Sequence, residues 1–328
     1  MSTAPAPVVT ITLNPALDLS AAVPRLEAGP KLRTGPVTAE PGGGGINVAR
    51  VVAELGGQAL ALACLGGATG TRLAGLLDGV PGLTLHALPG AGETRESLSV
   101  TETETGRQFR FVLPGPVFDP AEVPALVAAI AAATAPGTVV VLSGSQPPGL
   151  PDDLPQRLAR ALPPGVRLIV DTSGPALDRL LAAPDPAAAP AILRLDEAEA
   201  AARARSPLPD AAATLAFAAG LVGRGVAGAV VVARGAEGSV LAVPGSVPGR
   251  GWACTPPRVE VVSKVGAGDS FAAGLALALA RGQDWPAALA LGTAAAAAAV
   301  TTPGTGLCRA ADVARLLPLC RPTPIGPA

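Results

Sequence analysis

Apolar runs of strand length, closed by polar residues, alternate with helix-length stretches along this chain. That alternation restricts its fold more than any other feature. "VVTITL" (8–13) reads as a buried strand, "GINVARVVAELGG" (45–57) as a helix closed by glycine, and "ALALACLG" (59–66) as the next strand. "TVVVLSG" (138–144) and "VRLIVDTSG" (166–174) are strands that end in polar residues. "AGAVVVARGAEGSVLAV" (227–243) reads as a hairpin turning at Gly235–Gly238. Helices are expected over 121–134, 152–162, 197–205, 210–224, 269–281 and 286–300. Strands buried on both faces carry continuous apolar runs, so the pattern predicts an α/β fold: a mostly parallel central sheet with helices on both faces. Ligands in such folds bind beyond the carboxyl ends of the strands. Two stretches break the rhythm. Residues 17–38 and 94–113 carry short alternating patterns such as "SLSVT" and "QFRFVL", which predict a small β-sheet lid of antiparallel strands outside the main sheet. There is no internal repeat and no separating linker, so one domain is expected over 1–328, with the lid strands inserted in it.

Composition narrows the function. A formal net charge of -1 gives no reason to expect a nucleic acid or an anionic membrane as partner. Aromatic residues make up 2% of the chain, too few for base-stacking platforms. The stretch 271–300 is the most apolar, but Arg281, Gln283, Asp284 and Pro286 divide it below the ~20 residues of a membrane span. Two buried helices are expected there. The N-terminus lacks the charged and apolar regions of a secretion signal, and Cys64, Cys254, Cys308 and Cys320 form no C-x-x-C pair, so a cytoplasmic protein is expected. His86 is the only histidine, which removes Ser-His-Asp chemistry and His-rich zinc sites. Proton transfer therefore falls to Asp or Glu.

The Gly-rich stretches locate the chemistry. "KVGAGDSFAAG" (264–274) runs from a glycine turn straight into a helix, where exposed N–H groups and the positive helix end favour an anion. Asp269 sits inside that cradle. A carboxylate there would repel a resident phosphate, but it can accept the proton of a hydroxyl while the cradle holds a phosphoryl group in transfer. The alternative is a plain first-turn aspartate favoured by the helix dipole. In "EPGGGGINVAR" (40–50), four glycines precede a helix and allow a ligand close to bare backbone, with Asn47 one turn inside; a tight strand-to-helix turn is the other explanation. Asp18 in "LNPALDLS" (13–20) follows the first strand, and either accepts bonds from sugar hydroxyls or caps its own turn. Lys31, Arg33, Arg95, Arg107 and Arg110 lie in the lid stretches, where convergence would suit a phosphorylated substrate. Neither a G-x-x-x-x-G-K-[ST] loop nor a G-x-G-x-x-G turn after the first strand is present, so a dehydrogenase is disfavoured.

"VGAGDSFAAG" and "GGGGINVAR" resemble the two signatures of the ribokinase-like (PfkB) sugar kinases, and "TLNPALD" narrows the likeness to the phosphosugar kinases among them. The resemblance runs from about residue 8 to 320 and takes in "GGATG", "TGRQFRFVLPG", "LSGSQPPG", "DTSG" and "GTGLC". It implies a ribokinase-like fold and ATP-dependent phosphorylation of a phosphosugar hydroxyl. The group it points to is the 6-phosphofructokinases of minor-isozyme type, with 1-phosphofructokinases and tagatose-6-phosphate kinases as alternatives. By this resemblance Asp269 matches the catalytic base, and Gly266, Ala267 and Gly268 the anion hole. Asp18, Gly43, Gly44 and Asn47 match sugar-binding positions; Lys31, Arg95 and Ser145 match substrate or phosphate positions, and Lys31 also a second, inhibitory ATP. Gly235 and Gly238 match the nucleotide loop. Glu199 matches a glutamate associated with Mg2+, bound with ATP, and Ser263, Val265 and Gly304 match a K+ site. A homodimer through the lid is implied as well.

The chain departs from the family in places. "RLDEAE" (194–199) stands where relatives often read K-P-N-x-x-E, so Arg194 keeps the charge that would meet ATP phosphates while Asp196 replaces an amide. Ala233 replaces a usual serine near the nucleotide, and Gly306 an arginine near the K+ site. These changes leave a non-catalytic sugar or nucleotide sensor as an alternative, against which the intact Asp269 weighs. Gly44 stands where kinases of fructose 1-phosphate or tagatose 6-phosphate often have lysine, which favours fructose 6-phosphate.

Overall fold

Apolar runs and helical stretches resolve into a regular alternation in the structure, a computed structural model that describes residues 8–29, 31–90, 92–245, 251–304 and 306–326. The first half runs β1 (Val8–Thr12), β2 (Ala16–Val23), β3 (Thr38–Gly42), α1 (Gly44–Glu54), β4 (Ala59–Leu65), α2 (Gly67–Leu77), β5 (Leu83–Pro89), β6 (Arg95–Glu102), β7 (Gln108–Val112) and α3 (Val123–Ala132). The second half runs β8 (Val139–Ser143), α4 (Leu154–Ala161), β9 (Arg167–Asp171), α5 (Pro175–Ala182), β10 (Ile192–Leu195), α6 (Glu197–Arg203), α7 (Ala211–Gly223), β11 (Ala229–Ala233), β12 (Ser239–Ala242), β13 (Gly251–Cys254), α8 (Ala267–Ala280), α9 (Trp285–Ala299), α10 (Ala310–Leu316) and β14 (Thr323–Ile325).

Among the described residues, ten strands form the main sheet in the order β14-β13-β12-β11-β10-β9-β8-β1-β4-β5. From β5 to β11 every pairing is parallel; β12, β13 and β14 close one edge antiparallel. Successive side chains of a strand point to opposite faces. Val139 and Val141 accordingly join a core with α1, α8, α9 and α10, while Val140 and Leu142 join another with α3, α4, α5 and α7. The Ala-rich run at 271–300 is the buried pair α8 and α9. Its small residues let the two backbones approach: a Cβ on Gly274 would lie 2.7 Å from Leu291 O and 2.9 Å from Gly292 Cα. No helix among the described residues is long and apolar enough to cross a membrane.

The lid exists, with one correction. It is a separate sheet of order β3-β2-β6-β7, in which β2 pairs antiparallel with β3, and β6 with β7, but β2 pairs parallel with β6 along eight residues. Parallel pairing needs a long crossover. The chain supplies one, since β3, α1, β4, α2 and β5 all lie between β2 and β6. The first lid segment also divides differently from expectation: the described residues of 24–37 contain no strand, and β3 begins at Thr38.

Candidate active site

The site forms where β1, β3 and β8 end, beneath the lid. Gly43, at φ +116° in a region open to glycine, turns β3 into α1. A Cβ there would lie 2.6 Å from Thr12 Cγ2, and one on Gly44 would lie 2.3 Å from Ser143 Oγ. The glycine run is thus squeezed between the ends of β1 and β8. Gly42 makes room for Asp18, whose Oδ2 would lie 2.1 Å from a Cβ at that position. A cleft of about 280 Å³ opens here, lined by Asp18, Gly43, Asn47, Arg95, Arg110, Val265 and Asp269, with Glu40, Arg50 and Ser97 beside them.

Asp269 stands in the first turn of α8. Gly266, left-handed at φ +75°, caps the helix, and the first helical bond runs from Ser270 N–H to Gly266 O (2.9 Å). The N–H groups just before it have no acceptor within the helix, the arrangement expected of an anion cradle. Asn47 Nδ2 donates to Asp269 Oδ2 at 2.9 Å, which ties α1 to α8 across the floor of the cleft. Burial pushes the Asp269 carboxyl up to about 6; the Asn47 bond opposes the shift, the Asp171 charge adds to it, and Arg194 and the Ser143 hydroxyl also oppose it. Burial likewise raises Asp18, while Arg110, Arg95 and Ser97 pull it back.

The nucleotide candidates lie at the carboxyl ends of β10 and β11, which pair with Arg194 opposite Val231. Arg194 Nη1 donates to both oxygens of Asp171, at 2.9 and 3.2 Å, and each side chain is only 11% exposed. Its guanidinium packs under the cradle, where a Cβ on Gly268 would meet it at 3.0–3.2 Å. Asp196 caps α6 and exchanges bonds with Glu199: Glu199 N–H donates to Asp196 Oδ1 (2.7 Å) and Asp196 N–H to Glu199 Oε2 (2.9 Å). Burial raises the Glu199 carboxyl. Ala233 ends β11, Gly235 and Gly238 follow on the β11–β12 turn, and Gly235 faces Glu197 at the start of α6. No cluster of three or more His, Cys, Asp or Glu side chains able to hold a metal occurs among the described residues. Ser263, Val265 and Gly304 do come together: Ser263 Oγ donates to Gly304 O (2.8 Å) and accepts from Val265 N–H (3.2 Å).

Not every lid cation converges. Arg95 reaches the cleft, held by Asn14 O (3.2 Å) and Leu113 O (3.3 Å), and Arg110 lines it too. Lys31 and Arg33 lie exposed between β2 and β3 and do not line the cleft. Arg107 instead pairs with the buried Glu102 at 3.0 Å and stacks over Phe109. Ser145 is exposed beside the site and accepts from Asn14 Nδ2 at 3.3 Å. Sequence reading missed Glu40, Arg50, Ser97 and Asp171. Arg50 was findable from its position three residues after Asn47, and Asp171 from its place at a strand's carboxyl end.

Comparison with known proteins identifies the family. The profile of the pfkB family carbohydrate kinases matches residues 6–312. ATP-dependent 6-phosphofructokinase isozyme 2 of Mycobacterium tuberculosis is 39% identical over 324 residues, 97% of this chain and 91% of that protein. A 1-phosphofructokinase of Xanthomonas campestris is 37% identical over 275 residues, 83% of each. The crystal structure of phosphofructokinase-2 from Escherichia coli in complex with potassium superposes with a TM-score of 0.84 at 34% identity, covering 95% of this chain and 98% of that one. The tetrameric inhibited form of the same E. coli protein gives a TM-score of 0.83 at 33% identity, covering 95% and 98%. This chain belongs to the pfkB family of carbohydrate kinases, and the expected ribokinase-like architecture extends over nearly all of it.

Proposed function

We propose that the protein transfers the γ-phosphoryl group of ATP to the C1 hydroxyl of fructose 6-phosphate, forming fructose 1,6-bisphosphate. The observation that carries this reading is the position of Asp269. Its carboxyl, held near 6, faces the same cleft as Asp18, Asn47 and two lid arginines, at the mouth of an amide-lined helix end. Asp269 takes the hydroxyl proton as the sugar oxygen bonds to phosphorus and the bond to ADP breaks. The N–H groups of 266–269 stabilise charge on the transferring group, and Arg194 beneath them adds a fixed positive charge. Asp18 orients the sugar hydroxyls, while Arg95 and Arg110 meet the sugar's own phosphate. The lid excludes water that would otherwise accept the phosphoryl group. Glu199, with Asp196 beside it, would hold Mg2+ brought in with ATP, and the ion would supply charge neutralisation on the phosphates.

Gly44, where kinases of fructose 1-phosphate or tagatose 6-phosphate often carry lysine, favours fructose 6-phosphate. Both neighbours named as phosphofructokinases fit a phosphosugar acceptor. A homodimer through the lid would cover the edge strands β3 and β7 and the exposed Phe111 (49%), Val112 (64%) and Leu113 (48%). A coupled ADP-release assay across fructose 6-phosphate, fructose 1-phosphate, tagatose 6-phosphate and the unphosphorylated sugars tests the substrate. The highest kcat/KM is expected with fructose 6-phosphate. A preference for fructose 1-phosphate would reassign the acceptor, and no turnover on any of them would favour a sensor.

A further inference from the structure

We infer that Arg50 is a positioning residue for the base: it fixes which end of the Asn47 amide faces Asp269. The two side chains are neighbours on α1, three residues apart. Arg50 Nη1 donates to Asn47 Oδ1 at 3.4 Å and to Pro41 O, near the end of β3, at 3.3 Å. The other end of the same amide donates to Asp269 at 2.9 Å. A guanidinium has only donors and an ionised carboxylate only acceptors. An amide placed between them is satisfied one way round. Turned over, its oxygen would face the carboxylate and its NH2 the guanidinium, and both bonds would be lost.

Arg50 therefore supplies a direction that Asn47 lacks by itself. The site can keep Arg50 charged despite its burial, because Glu40 and Asp18 face it from the lid. Asp269 is faced by Asn47 on α1, the Ser143 hydroxyl at the end of β8, Asp171 on β9 and Arg194 on β10. Among these, Arg194 and Asp171 hold each other, whereas Asn47 is held by Arg50 from outside the set. Loss of the orientation should remove the bond that most favours the ionised carboxyl, and the carboxyl would titrate higher.

The inference rests on reading Asp269 as the base, and a double-mutant cycle with two readouts separates the two ideas. The variants are Arg50→Met, Asn47→Ala and the pair. The readouts are the acidic limb of kcat against pH, with fructose 6-phosphate and ATP saturating, and a 13C titration of the Asp269 carboxyl in substrate-free protein. A hydrogen bond to a charged group shifts a titration by about one pH unit. Arg50→Met should raise both midpoints by about that much, Asn47→Ala should do the same, and the pair should shift no further than one of them. An equal extra shift from Arg50→Met in the Asn47→Ala background would mean that its charge acts through space, and would overturn the inference. So would an unmoved limb with a raised KM for the phosphosugar, the mark of a substrate contact. If Arg50→Met does not fold, Arg50→Lys enters the same cycle. Its single ammonium cannot replace the planar fork, so a smaller shift in the same direction is expected, again absent without Asn47; no shift, or one that persists, overturns the inference. Wild-type turnover by Asp269→Asn would remove the base assignment instead, while the carboxyl titration would still decide the role of Arg50.

Discussion

Gly268→Ala tests how closely the anion cradle is built. In a helix alanine is favoured over glycine by about 1 kcal/mol, so the substitution should be harmless or stabilising by propensity alone. The structure predicts otherwise for catalysis. The new Cβ would lie 3.0 Å from Arg194 Nη2, 3.1 Å from Nη1 and 3.2 Å from Cζ, a few tenths of an ångström too close. Arg194 cannot easily retreat, because both oxygens of Asp171 hold it in buried surroundings. The start of α8 must then move, and with it the N–H groups of 266–269. A displacement approaching 1 Å at a reacting centre costs on the order of 10²-fold, so a shift of roughly half that should cost ~10-fold in kcat. Thermal unfolding should stay within ~1 kcal/mol of wild type. Steady-state ADP release measures the loss, and Gly268→Ala combined with Arg194→Lys should recover part of it, because lysine's narrower head relieves the contact. Wild-type turnover in the single variant, or no recovery in the pair, would refute the packing argument.

Other expectations are as direct. With Asp269 held near 6, kcat should rise with pH through about 6 and level off above it; a limb near 4 would point to an unburied base. The same shift has a stability cost, because the folded carboxyl titrates above the unfolded value of 3.8. That stability is fully present below 3.8 and is lost as pH rises through about 6. Asp269→Asn should therefore be more stable than wild type at pH 7.5, by roughly 3 kcal/mol, and alike at pH 3.5, as read by denaturant unfolding. Arg95→Ala should raise KM for the phosphosugar far more than KM for ATP, and equal increases would remove Arg95 from the sugar phosphate.

Much of this architecture was legible because strand and helix periods differ. The runs ending at Leu13, Ser143 and Asp171 were long and apolar enough to read as buried strands, and the glycine stretches before α1 and α8 marked the ligand end of the sheet. Short elements escaped. β10 has four residues, and its Arg194 and the following Asp196 interrupt any apolar run. α2 and α5 begin in Gly- or Pro-containing stretches that resemble loops. The parallel register of β2 with β6 was hidden because pairing direction depends on the path of the intervening chain, not on local alternation. At the site, Asp269, Asp18 and Asn47 could be named because each adjoins a glycine turn or a strand end. The failure of Lys31, Arg33 and Arg107 to converge could not, since lid cations look alike until the fold assigns Arg107 to Glu102.

Asp269→Asn turnover on fructose 6-phosphate, measured together with the binding of both substrates, tests the central claim most directly. Asparagine keeps the shape and the place beside Asn47 but cannot take a proton. Turnover should fall ~10²–10⁴-fold while substrate dissociation constants change little. A variant that retains near-normal kcat would contradict the account, because the reaction would then need no carboxylate at the mouth of the cradle.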